Sequence, residues 1–276
     1  MNYFSIKNCT QSYATFSFMS NGRIVENAPV CGLTLKKAGS MRFRWNEKNP
    51  LRDKALKEIS QQVSGLSSIE IAPVELIHSQ LVFKADSEKD VHNLQGDGII
   101  SNQKNFMPVV TVADCMPLYI YDKKTGAYGI VHSGWKGTGI CVKAINQMKN
   151  EYGTNIEDVC VILGPHIRNC CYIVNEERAE YFSRNFSAAS VSKLEEGGKC
   201  YCGGRGLKID WDNGEGQLYR LSLEEANLAD LKKTGIPSEN ITICQDCTCC
   251  NLVFGSNRRE TAEGTAFTVQ AAWILG

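Results

Sequence analysis

Residues 110–137 read VTVADCMPLYIYDKKTGAYGIVHSGWKG, two apolar runs (LYIY and YGIV) joined by the polar DKKTGA. Aromatic and β-branched residues on either side of an Asp- and Gly-containing segment predict a β-hairpin. A midpoint in the KKT of the turn sets Cys115 opposite His132 at the open end. Facing residues in such a ladder have Cα atoms about 4.5–5.5 Å apart. A thiolate and an imidazole so placed can share one zinc, at about 2.3 Å and about 2.0–2.1 Å. Pro117, just past the cysteine, limits ladder pairing and predicts that the site lies at an edge or mouth. Gly134 and Gly137 flank Trp135 and let the backbone turn sharply and approach a ligand. The other histidines are His78, in a β-rich run, His92, in a polar loop, and His166. Pattern alone does not choose a third ligand among them. A buried cysteine beside a satisfied histidine explains the pair equally well.

Outward from the hairpin, short strands and a few helices alternate. Residues 1–48 read as strands, with an Asn21-Gly22 turn signal. NPLRDKALKEISQQVSG reads as a helix capped by Asn49, with Pro50 in its first turn. Its apolar face is Ala55, Leu56, Ile59 and Val63, and Gly65 ends it. VELIHSQLVF (74–83) is β-rich, and 91–102 is a polar loop leading into apolar residues. GICVKAINQMKNEYG has apolar residues at 141, 144, 145, 148 and 152, which is helical spacing. DVCVILGP is a short strand ending at Gly164-Pro165. Residues 186–206, rich in Gly and Ser, read as a mobile loop. SLEEANLADLKKTGIP opens on a Ser222/Glu225 capping pattern and stops at Gly235. AFTVQAAWIL reads as a final strand. No repeat and no convincing linker divides the chain, so an α/β or α+β single domain is expected.

The composition limits the partners. The chain has 276 residues, 43% hydrophobic and 22% charged, enough for one large domain or two small ones. Its 30 basic and 30 acidic side chains balance, so no excess charge points to nucleic acid or to an anionic membrane. A small neutral or mixed-charge ligand is the expectation. MNYFSIKNCTQSYATFSF lacks the organisation of a signal peptide, no run is apolar enough to span a bilayer, and a cytoplasmic location is expected. Nothing in the pattern sets the oligomeric state. The 13 cysteines, odd in number, argue for reduced thiols rather than a disulfide scaffold.

ADCMPLYIYD and YGIVHSGWKG, followed by ILGPHIRNCCYIV, LKIDW, LADLKKTGIP, DCTCC and GSNRRE, carry a resemblance to a known family. Over roughly residues 74–275 the chain resembles the bacterial laccase-domain family. That family is also described as multicopper polyphenol oxidoreductase-like, as purine nucleoside phosphorylase and as peptidoglycan-editing factor. The resemblance implies one domain over 1–276, α/β (α+β) in class: a four-layer α/β/β/α sandwich with mixed sheets. It implies a pocket zinc held by His78, Cys115 and His132, which are also the catalytic residues. Leu76 stands where the family has a glutamine, and the family's signals near the first helix are blurred in RWNEKNPLRDKAL. True laccase chemistry needs several imidazole-rich copper sites, which four histidines cannot fill. Adventitious copper could still give weak polyphenol oxidase activity.

Three protein ligands leave the fourth zinc position open, the pattern of a catalytic site. The resemblance implies phosphorolysis of adenosine, inosine and methylthioadenosine to base and pentose 1-phosphate, with purine nucleoside and phosphate as ligands. It also implies adenosine deamination, which suits a zinc-activated water attacking C6 of the purine. Lys136, Arg258 and Arg259 are candidate phosphate cations, although most surface cations are simply solvated. Ser256 lines the pocket on resemblance only. Trp135 could stack on a base or simply pack. Asp114 reads as a turn residue or a partner for an imidazole, and Asp97, in GDG, as an Asx turn rather than a ribose ligand.

CQDCTCC (244–250) contains C-x-x-C, half of a structural zinc site or a redox pair when taken alone. Cys170, Cys171, Cys200 and Cys202 could supply further thiolates. They match no ligand spacing, so inert buried thiols are the expectation. Two rivals to the nucleoside enzyme remain. One is a cysteine hydrolase editing peptidoglycan precursors, with Cys115 as nucleophile and His132 as base. The other is a non-enzymatic partner protein, against which the intact residues at 78, 115 and 132 argue.

Overall fold

The computed structural model describes residues 1–6, 11–66, 68–195 and 216–276. Strands Met116–Asp122 and Tyr128–Ser133 form the expected hairpin. The Asp122 carboxylate sets its turn, accepting from the backbone N–H of Lys124 (2.8 Å) and of Thr125 (3.2 Å) and from the Thr125 hydroxyl (2.6 Å). The register differs from the expected one: His132 pairs with Pro117, and Ser133 with Met116. The loop is centred one position later than the KKT reading put it. Side chains alternate with period two, so Cys115 and His132 stay on one face as diagonal neighbours.

Nor is the hairpin at a sheet edge. Met116–Asp122 lies inside a seven-stranded sheet, ordered Asn2–Phe4, Ile241–Cys244, Val159–Leu163, Met116–Asp122, Tyr128–Ser133, Gly98–Ser101, Val82–Lys84. Pro117 is accommodated because it removes only a donor. Its carbonyl still accepts from the Gly164 N–H at 2.9 Å. The site is instead at the end of this strand. A five-stranded sheet, ordered Tyr13–Phe16, Val30–Thr34, Gln270–Leu275, Phe106–Val112, Glu70–Pro73, stacks on the first. Each mixes parallel and antiparallel pairs.

The strand pattern explains the layering. In Met116–Asp122, Met116, Leu118 and Ile120 pack toward helices Ile140–Tyr152 and Leu223–Thr234. Tyr119 and Tyr121 point the other way, into a core shared with Phe16, Leu33, Val110 and Ile274 of the second sheet. That sheet alternates in turn, and Met107, Val109, Trp273 and Leu275 meet Leu56 and Ile59 of helix Pro50–Ser64. The order is therefore helix, sheet, sheet, helix. Sheets covered on both faces read as continuous apolar runs, which is why LYIY and QAAWIL show no polar alternation.

The helix ends follow the sequence signals. The Asn49 side chain accepts from Arg52 N, and Gly65 closes the helix at φ 69°. Ser222 accepts from Glu225 N, and Gly235 closes that helix at φ 87°. Asn21 and Gly22 form a two-residue hairpin with positive φ at both. Two expectations fail. Residues 74–83 hold only the strand Val82–Lys84, and His78 sits in a bend at φ 56°. The 186–206 reading of a mobile loop is wrong for its first part: Val191–Lys193 is a strand paired with Tyr219–Leu221, because Val191 packs into the helical layer. Its remainder, with Cys200 and Cys202, lies outside the described residues. Helix Glu176–Asn185 is an addition to the elements expected from sequence; Asn175 caps it and two glutamates open it.

A buried carboxylate locks the last turn before the final strand. Glu260 accepts from Thr268 N (2.6 Å) and Ser256 N (3.2 Å) and pairs with Lys36 at 2.5 Å. Burial alone would raise its pKa, but Lys36 and the two N–H groups hold it below 4.5. The unfolded chain therefore takes up this proton first on acidification, so the stabilisation is present above about pH 4.5 and fades below it. Chemical denaturation across pH 3–7 should show that loss in the wild type. In Glu260→Gln the contribution should be absent at every pH, leaving a flatter profile.

Candidate active site

One cleft of about 550 Å³ opens at the end of the central hairpin, within the size range of a small-ligand site. His78, Cys115 and His132 line it, and their donor atoms lie within 4.8 Å of one another. Each comes from a different element. His132 is in strand Tyr128–Ser133, Cys115 immediately precedes strand Met116–Asp122, and His78 is in the bend before Val82–Lys84. The rings of His78 and His132 are 5.0 Å apart, and His132 is buried whereas His78 is exposed. Gly134 makes room for the sulfur: a Cβ there would stand 2.8 Å from Cys115 Sγ.

Asp97, fully buried, organises both histidines. One carboxylate oxygen is 2.9 Å from His132 Nδ1 and also accepts from His78 N at 3.0 Å. The other accepts from Ser79 N (2.6 Å) and the Ser79 hydroxyl (2.7 Å). Here is the cause of the bend at His78: the carboxylate gathers two successive N–H groups that a strand would have pointed apart. The expected Asx-turn role for Asp97 is thus replaced by a bridge between two ring-bearing segments. Engaging Nδ1 of His132 leaves its Nε2 for a ligand. Burial opposes a charged His132, but the Cys115 sulfur and Asp97 overcome it and raise its pKa to about 9. Burial and the neighbouring His132 lower that of His78. Burial also pushes Asp97 upward, yet hydrogen bonds from His132 and Ser79 hold it below the usual carboxylate value.

Asp114, at φ 80°, fixes the other side of Cys115. It accepts from the Thr248 hydroxyl (2.6 Å), the Ser256 hydroxyl (3.0 Å) and Arg258 N (2.7 Å). Its partners are a loop and a helix N-terminus rather than an imidazole. Burial still raises its pKa, against those three bonds.

The remaining candidates separate. Arg258 lines the cleft, and its guanidinium donates to the carbonyls of Cys171 and Ile173. Ser256 is buried and caps helix Asn257–Ala262, so it supports the cleft through Asp114 instead of lining it. Lys136 is exposed, with Nζ 5.7 Å from the Trp135 ring, and lies outside the lining. Arg259 is buried, and its guanidinium donates to the carbonyls of Thr248, Cys249 and Phe254. That role is structural, not one of phosphate capture. Trp135 lines the cleft with Arg178 stacked 3.9 Å above its ring. Sequence reading missed Arg42, Arg44, Phe43, Tyr172 and Arg178, all of which line the cleft. RFRW, which holds three of them, is conspicuous in charge and aromatic content, but no spacing ties it to the hairpin.

A four-layer mixed α/β sandwich with a His₂Cys donor set in its cleft defines a candidate metal-binding enzyme. The chain belongs to the family whose model is described as multi-copper polyphenol oxidoreductase laccase, which matches residues 52–274. It is 37% identical over 124 residues to a purine nucleoside phosphorylase of Clostridium acetobutylicum, covering 44% of this chain and 51% of that one. It is 31% identical to a purine nucleoside phosphorylase of Borreliella burgdorferi, over 64% of this chain and 75% of that one. The chain thus matches only about half the length of the Clostridium relative. In fold it is similar to the Bacillus licheniformis protein YfiH (TM-score 0.74, 22% identity, 94% of this chain and 96% of that one). YlmD of Geobacillus stearothermophilus is similar to the same degree (TM-score 0.73, 22% identity, 94% and 96%). No helix among the described residues is long and apolar enough to cross a membrane.

Proposed function

We propose that this chain is a metal-dependent purine nucleoside phosphorylase acting as a single domain over 1–276, with His78, Cys115 and His132 as metal ligands. One observation carries the reading: those donors converge in a cleft walled by aromatic rings and guanidinium groups. Relatives bearing the phosphorylase name support the same class. The donor set fits zinc, being two imidazoles and one thiolate close enough to share an ion, with the second nitrogen of one imidazole held by a carboxylate. The ion would supply a Lewis acid in the cleft.

The rest falls to the chain's own residues. Trp135, Tyr172 and Phe43 offer flat apolar faces for a purine. Arg44, Arg178 and Arg258 give the cleft a positive field that favours phosphate and steadies negative charge near the anomeric carbon. Asp97 keeps His132 in one orientation and tautomer. Adenosine, inosine and methylthioadenosine are the proposed substrates, with adenosine deamination as a second activity of the same cleft.

The decisive assay incubates purified, zinc-replete protein with each nucleoside, with and without phosphate, and separates the products by chromatography. Phosphate-dependent release of base and pentose 1-phosphate is expected, together with phosphate-independent conversion of adenosine to inosine. Absence of any turnover across the panel would overturn the reading.

A second reading has an observation of its own. Asp97, His132 and Cys115 also form the acid–imidazole–thiol order of a cysteine hydrolase. Metal analysis discriminates between the two: stoichiometric zinc bound through Cys115 would reject the hydrolase, because a coordinated thiolate is not a free nucleophile.

A further inference from the structure

Outside the cleft, four thiols are drawn into one cluster. Cys170 and Cys171 lie in the turn after strand Val159–Leu163, and Cys247 and Cys250 in the loop after Ile241–Cys244. All four sulfurs are within 4.8 Å of one another. Cys171 and Cys250 are 3.3 Å apart, Cys170 and Cys250 3.6 Å, and Cys170 and Cys171 3.8 Å. Four sulfurs at the corners of a tetrahedron about 2.3 Å from a zinc stand about 3.8 Å apart. A disulfide would need about 2.05 Å, and four thiolates around an iron–sulfur cluster would have to stand much further apart.

The surroundings suit thiolates better than apolar thiols. The backbone N–H of Arg168 donates to Cys247 Sγ at 3.4 Å. The carbonyls of Cys170 and Cys171 accept from the guanidinium groups of Arg220 (3.2 Å) and Arg258 (3.1 Å), which brings positive charge to the cluster. A shallow opening lined by Arg168, Asn169, Gln245 and Asp246 gives an ion a way in.

We propose that Cys170, Cys171, Cys247 and Cys250 bind one zinc ion in a closed, tetrahedral, structural site. Binding a divalent ion displaces four thiol protons and leaves the centre with a net charge of −2, which the neighbouring guanidinium groups offset. No coordination position stays open, so the site holds structure rather than reacting. What it holds is the back of the cleft. His166 bridges to Cys247, and Thr248 N donates to the His166 carbonyl at 3.1 Å. From these joined loops Tyr172 and Ile167 reach the cleft lining, and Thr248 reaches Asp114 beside Cys115.

The test separates the two centres, and its outcome does not depend on nucleoside turnover. His78→Ala/Cys115→Ala removes two donors of the cleft without touching the cluster, and neither side chain is deeply buried. Elemental analysis should find about one equivalent of zinc in this variant, and X-ray absorption an all-sulfur first shell at about 2.3 Å. Cobalt substituted at the same centre should show intense sulfur-to-metal charge-transfer bands. Cys247→Ser/Cys250→Ser should lose that equivalent and melt at lower temperature. If it fails to fold, absorption on the cleft variant decides alone. A cleft variant that stays metal-free after anaerobic reconstitution with zinc overturns the proposal. So does a nitrogen- or oxygen-rich shell, or a cluster whose thiols titrate as disulfides in denaturant.

Discussion

Replacing Cys115 with serine, or His132 with alanine, is expected to abolish nucleoside turnover and to empty the cleft of its ion together. The loss should exceed about 100-fold, the upper range for removing a mere supporting partner of a ligand, because each change removes a donor itself. Cys115→Ser is the cleaner experiment. The sulfur is only half-buried, the side chain keeps its size, and the Asp97–His132 contact is left in place. His132→Ala also deprives a fully buried carboxylate of a partner, so part of its effect will be on stability. Metal content and phosphorolysis should be measured on the same preparations. Undiminished phosphorolysis from a variant shown to be zinc-free would remove the ion from the reaction.

How much of this was legible beforehand depended on whether the signal was local. Asn49, Pro50 and Gly65 bound one helix, and Ser222 and Gly235 another, because caps act over three or four residues. The hairpin was legible for the same reason, although the Asp122 turn shifted its register by more than pattern could fix. By pattern His78 reads as part of a strand, because its neighbours have β-forming side chains. The deciding group is a carboxylate 19 residues away that captures its N–H. Arg42, Arg44 and Arg178 of the cleft lie beyond pattern, and of the four-thiol cluster pattern shows only the pieces, the C-x-x-C and the Cys170-Cys171 pair, with no spacing that joins them. Cys170 and Cys250 are 80 positions apart, and only the parallel pairing of Val159–Leu163 with Ile241–Cys244 brings the loops that follow them together. The resemblance supplied His78 as third donor, which spacing had left open.

The same long-range carboxylate should give the largest effect of any residue that touches neither ion nor substrate. Asp97→Ala removes at once the acceptor for His78 N, Ser79 N, the Ser79 hydroxyl and His132 Nδ1. Three consequences follow from one cause. The bend loses the bonds that offset the left-handed backbone of His78, a conformation costing about 1–3 kcal/mol. A buried imidazole loses its charged partner, a change worth about 3–5 kcal/mol. The two imidazoles lose their common reference, so metal affinity should fall about 10–100-fold. Together the first two are about 4–8 kcal/mol; at about 2 °C per kcal/mol for a chain of this length, melting should drop by about 8–16 °C, and zinc titration should show the weaker binding. Asp97→Asn keeps one acceptor oxygen but can no longer serve both segments as an anion, so it should fall between the two. An Asp97→Ala protein with native melting and native zinc affinity would show that the two histidines are set by their own strand and bend, and that the buried carboxylate only fills space.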